Sequence, residues 1–61
     1  MFELRFDVQK TNNGFMIHDI MTEDYLHDDN GDNCFDTFEE ISKVMLKYDP
    51  TGSYCFQFTA Q

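Results

Sequence analysis

The sequence predicts a small α+β domain of ββαβ order, with a three-stranded antiparallel sheet of spatial order 2-1-3 and one helix packed on one face. Three observations carry this reading. From Thr37 to Tyr48 the apolar residues Phe38, Ile41, Val44, Met45 and Tyr48 recur three and four apart, which is one helical face. Phe2–Val8 and Ser53–Ala60 alternate between apolar and polar residues, the period of a strand with one covered side. Thr11-Asn12-Asn13-Gly14 then supplies a hairpin turn, because Asn and Gly accept positive φ at little cost.

In the first strand, Phe2, Leu4, Phe6 and Val8 point one way and Glu3, Arg5, Asp7 and Gln9 the other. The second strand, Phe15–Thr22, breaks its pattern. Unbroken alternation would carry Asp19 into the interior with Phe15 and Ile17. A bulge near His18–Asp19 is the favoured solution, turning Ile20 inward; the alternative is an outer face covered by a partner. Glu23–Asn33 reads as a polar loop, pinned by Tyr25 and Leu26, with Gly31 as a turn residue.

The helix has a marked start. Thr37 followed three residues later by Glu40 forms a capping box, and Asp36 with Glu39 offers the same arrangement one residue earlier. Asp36, Glu39 and Glu40 sit at the positive end of the helix dipole, and Lys43 and Lys47 toward the negative end. Glu39 and Lys43 are four apart in the favourable order. Pro50 stops the helix, and Asp49-Pro50-Thr51-Gly52 reads as a type I turn. In the last strand Tyr54, Phe56, Phe58 and Ala60 face the helix. Running antiparallel to the first strand, it leaves that strand central.

Sixty-one residues make one domain, 1–61. So short a chain buries only about 60% of its unfolded surface. Seven Phe and three Tyr offset this in part. Two Cys are too few for a disulfide scaffold, so free thiols in a reducing, cytoplasmic setting are the expectation. The alternating start lacks a signal peptide's apolar core, and no run approaches a membrane span.

Net charge is −8, and Glu23 to Glu40 holds eight acidic residues with no Lys or Arg. Such a chain repels nucleic acid and anionic lipid and attracts basic protein surfaces. The candidate partner-binding residues are therefore Glu23, Asp24, Asp28, Asp29, Asp32, Asp36, Glu39 and Glu40. Spaced carboxylates can also resemble phosphates, so a nucleic-acid mimic that inhibits a DNA- or RNA-binding protein is an alternative.

A further alternative is a Ca²⁺ or Mg²⁺ site in loop 24–36, with Asp28, Asp29 and Asp32 as weak candidates, since hard cations need several oxygens. An EF-hand does not fit. With Gly31 sixth, Leu26 falls first and Thr37 twelfth, and neither is a carboxylate. No cofactor is expected. Cys34, Cys55, His18 and His27 share no catalytic spacing, the carboxylates lie on an exposed loop, and the chain has little room for a pocket, so an enzyme is not expected.

In size and acidity the chain resembles small phage-encoded accessory proteins that bind host proteins; that likeness, which rests on no specific residue, implies action in host cytoplasm. The expected function is thus a non-catalytic interaction module for a basic protein surface. A homodimer through a sheet edge or the open sheet face is a second expected association.

Overall fold

The computed structural model describes residues 4–59, so the placements expected for Phe2 and Ala60 fall outside the described residues. The hairpin comes first: β1, Leu4–Thr11, and β2, Gly14–Asp19, pair antiparallel in unbroken register from Phe6↔Asp19 to Thr11↔Gly14. β1 thus runs three residues beyond the expected Val8. The left-handed conformation at the turn falls on Gly14 (φ 138°), while neither Asn12 nor Asn13 has positive φ. Thr11 Oγ1 closes the turn, accepting from Asn13 N (3.2 Å) and donating to Gly14 O (3.1 Å).

The expected bulge in the second strand is not there. Regular alternation carries Asp19 inside, 1% exposed, and leaves Ile20 outside, 40% exposed. A buried carboxylate is tolerated when it is paired and hydrogen-bonded. Asp19 Oδ1 accepts from Met21 N (2.9 Å), and Oδ2 faces Arg5 Nη2 (3.4 Å). Arg5 Nη1 in turn reaches Asp49 Oδ2 (3.4 Å), and its Cζ lies 5.0 Å from the Phe6 ring centroid. Arg5 thus joins β1, the end of β2 and the turn after the helix.

The expected antiparallel three-stranded sheet becomes a mixed four-stranded one of order β3-β2-β1-β4. β3 is Asp24–Tyr25, at one edge, and β4 is Cys55–Thr59, at the other. The order 2-1-3 survives as β2-β1-β4, with β1 central, but β4 is parallel to β1.

The reason lies in the segment expected to be only a loop. Tyr25 pairs with His18, Leu26 N donates to Ile17 O (2.9 Å), and Phe35 exchanges two hydrogen bonds of 2.7 Å with Phe15. Residues 24–35 therefore travel the length of β2 in the opposite direction. That extra crossing reverses the direction in which the helix, and then β4, must run. The register shift of the sheet falls between β1 and β4 at Leu4/Phe6, with Arg5 as the extra residue.

The helix α1, Phe38–Tyr48, is capped as expected: Thr37 Oγ1 accepts from Glu40 N (3.2 Å). The Asp49–Gly52 turn closes with Gly52 N donating to Asp49 O (3.1 Å). Ile41, Val44 and Met45 are buried against Phe6, Val8, Ile17, Leu26 and Phe35. The expected helical face is thus buried in its middle only. Phe38 and Tyr48, at its ends, are 54% and 39% exposed. The Glu39–Lys43 ion pair is not formed; Lys47 pairs instead with Asp29 (2.8 Å). Among the described residues no helix is long and apolar enough to cross a membrane.

The sheet face away from α1 is polar and laterally tied. Tyr25 Oη donates to Gln9 Oε1 (3.1 Å), Gln9 Nε2 to Asp7 Oδ2 (3.2 Å), and Thr59 Oγ1 to Asp7 Oδ1 (2.6 Å). This chain of contacts crosses from β3 to β4. The His18 ring packs beside Tyr25, 5.2 Å between centroids. The Thr59 hydroxyl is the main reason that Asp7 is held below the usual carboxylate range.

Candidate functional site

The acidic stretch divides by what each carboxylate does. Asp28 organises its own loop. Its Oδ1 accepts from Asn30 N and Asp32 N (both 2.9 Å), while its backbone bonds to Asp32 O and Gly31 N (both 3.0 Å). Such a carboxylate-centred turn is why a polar stretch without apolar anchors can hold a shape. Glu40 belongs to the helix cap, with Oε1 accepting from Thr37 Oγ1 (3.3 Å). Asp24 Oδ1 accepts from Tyr25 N (2.8 Å). Asp29 is almost wholly exposed and is held below the usual carboxylate range by its hydrogen bond to Lys47, whose own pKa is raised by the same contact. Glu23, Asp32, Asp36 and Glu39 are exposed.

The loop is held against α1 from two sides. Tyr48 Oη accepts from His27 N (3.1 Å), and Lys47 Nζ reaches His27 O (3.5 Å) as well as Asp29. Between loop and helix lies an open groove of about 280 Å³, lined by Asp28, Asp29, Phe35, Glu40, Lys43, Val44 and Lys47. Its floor is apolar, from Phe35 (2% exposed) and Val44 (5% exposed). Asp28, Asp29 and Glu40 give its rim three carboxylates, beside Lys43 and Lys47, the latter paired with Asp29.

The fold therefore gathers three of the eight expected acidic residues around one groove. Glu23 and Asp24 sit instead at the β2–β3 turn and the sheet edge. Asp36 is beside the hairpin: a Cβ built on Gly14 would lie 3.3 Å from its Oδ1. The weak metal candidates Asp28, Asp29 and Asp32 do not converge, and among the described residues no three His, Cys, Asp or Glu side chains could hold a metal ion.

Sequence reasoning missed two features. Lys43 and Lys47 enter the groove because the loop folds over the last turns of α1, a long-range placement with no local signal. A second surface, outside the acidic stretch, carries exposed Phe38, Phe56 and Phe58. Its signal was available: Ser53 to Gln61 contains no charged residue in a chain of net charge −8.

Compared with protein-family models, with curated proteins and with solved structures, the chain matches none.

Proposed function

We propose that the chain is a non-catalytic interaction module whose acidic groove receives a basic side chain, arginine or lysine, from a protein partner. The observation that carries this is the pairing of an apolar floor, Phe35 and Val44, with a carboxylate rim, Asp28, Asp29 and Glu40. Arginine and lysine both lay an apolar stem along such a floor while the charged head seeks a carboxylate. Among the described residues Asp28 Oδ2 and Glu40 Oε2 have no hydrogen-bond partner, so each is open to a charge-assisted bond. The remaining exposed carboxylates act at longer range, steering a basic surface toward the groove, so association is fast and weakens with salt. If the partner is itself a nucleic-acid-binding protein, the same surface acts as a mimic, and duplex DNA or RNA competes for it.

An arginine-containing basic peptide titrated into ¹⁵N-labelled chain tests this. The expected result is amide shifts concentrated at Asp28, Asp29, Phe35 and Val44, much reduced in Glu40→Gln, which neutralises an open acceptor while keeping the cap, and unchanged in Glu23→Gln. Shifts spread evenly over all eight acidic residues, or equal in both variants, would refute the groove.

A further inference from the structure

A sheet edge is a row of unpaired backbone donors and acceptors, and proteins usually blunt it with charge, proline, brevity or a cover. The two edges here differ. β3 is two residues long, carries Asp24, and is preceded by Glu23. β4 is five residues long, Cys-Phe-Gln-Phe-Thr, and none is charged. Among the described residues nothing pairs with its outer side.

Beside that edge lies an aromatic surface. Phe56 and Phe58 are 36% and 56% exposed, and Phe38, from the first turn of α1, is 54% exposed. Phe38 lies 6.1 Å from Phe56 and 6.2 Å from Phe58, and Phe56 lies 5.6 Å from Phe58 (ring centroids). Phe15 extends the cluster, 6.4 Å from Phe58. A contiguous exposed aromatic surface against an unprotected edge marks an interaction site.

We propose that this edge pairs with the β4 edge of a second copy of the chain, antiparallel about a two-fold axis through Gln57. Three features point to a second copy. The strand is self-complementary under that axis: Cys55 falls opposite Thr59, Phe56 opposite Phe58, and Gln57 opposite itself. All four Phe56 and Phe58 rings then share one face as two cross-strand aromatic pairs. The strand carries no charge, so it offers a basic partner nothing, whereas two chains of net charge −8 can meet along it without opposing carboxylates. The acidic edge, β3, lies at the far side of each sheet, so pairing through β4 makes a continuous eight-stranded sheet with both acidic edges outermost.

The exposed parts of the three rings amount to roughly 300 Å² per copy at about 200 Å² per ring. A standard interface buries about 800 Å² per partner, so even with the strand backbone this is a modest dimer, governed by concentration. Asp36 and Glu39 flank Phe38, so the copies still repel at the margin. Salt screens that repulsion and tightens the dimer. Salt weakens the capture of a basic partner by the groove, so the two associations separate by opposite salt dependence.

Sedimentation equilibrium over a range of concentration, at low and high salt, tests the proposal. The expected result is a monomer–dimer equilibrium that tightens with salt and is weakened about tenfold or more in Phe58→Lys. Phe58 is exposed enough for the change to spare the fold, which far-UV circular dichroism checks. In a Cys34→Ser/Cys55→Ser background, Gln57→Cys oxidises readily to a disulfide dimer, because two-fold pairing sets these residues opposite each other within disulfide reach. Met21→Cys, remote from the edge, does not. A chain that stays monomeric at millimolar concentration and high salt would overturn the proposal. So would a dimer indifferent to Phe58→Lys, or equal cross-linking from positions 21 and 57.

Discussion

Gly14→Ala should remove most of the stability of this protein. The residue sits at φ 138°, in a region that L side chains rarely adopt, and a Cβ there would lie 2.5 Å from Phe35 O and 3.2 Å from Phe35 C. Both are backbone atoms, so no side chain can swing aside. Relief requires residue 35 to retreat by nearly the difference from an ordinary contact of about 3.5 Å. The two 2.7 Å hydrogen bonds between Phe15 and Phe35 then stretch or break. They are worth about 1 kcal/mol each, and the strained φ adds about 1–3 kcal/mol. The lower unfolded-state entropy of alanine offsets about 0.4–1 kcal/mol of this. A net loss of about 3 kcal/mol results, against the ~3–5 kcal/mol that a domain below 70–80 residues usually has. Urea unfolding followed by far-UV circular dichroism measures it, with Gly31→Ala as comparison. Gly31 also has positive φ, 83°, but no atom within 4 Å of the added Cβ, so its cost is about 1 kcal/mol. Equal losses in the two variants, or a loss below about 1 kcal/mol in Gly14→Ala, would refute the claim that the Phe15–Phe35 bridge is what the glycine serves.

Three other outcomes are expected. Asp19→Ala should cost about 2–3 kcal/mol in the same assay, because it leaves the Arg5 guanidinium with Asp49 alone and frees Met21 N, whereas Asp19→Asn keeps the latter bond and costs less. Asp7 has a lowered folded pKa, so its stabilising contribution is complete above its ordinary value of 3.8 and is lost as pH falls through the lower folded value; in Thr59→Val, which removes the largest cause of the lowering, urea midpoints followed from about pH 5 to pH 2 should show a shallower acid decline. Thr37→Ala removes the acceptor for Glu40 N and should cost about 1 kcal/mol, read as a lower thermal midpoint.

The helix was legible because its evidence is local: apolar spacing, a cap three residues from its partner, and a proline beyond its end. Strand order was legible for a similar reason, since hairpin and crossover chemistry leave few arrangements. The direction of β4 was not. It depends on residues 24–35 crossing beside β2, and that segment is mostly turn formers. The clue was at its ends, where the apolar pairs Tyr25-Leu26 and Cys34-Phe35 bracket the acid. Asp19 misled for another reason. Its place inside is made tolerable by Arg5, fourteen residues away, a contact that no local pattern announces. In the acidic stretch, composition showed the charge but not its division of labour. Asp28 and Glu40 each spend one oxygen on local structure, and two lysines distant in sequence complete the groove.

The parallel pairing of β1 with β4 has a consequence for synthesis. β1, an interior strand of the sheet, leaves the ribosome before β4, so one of its flanks stays bare until Cys55–Thr59 has followed. Through that interval the nascent chain has a hairpin and a helix but an open seam beside Phe6 and Val8, a template for misassociation. Ending translation after Pro50 would therefore yield an aggregation-prone fragment rather than a smaller working domain.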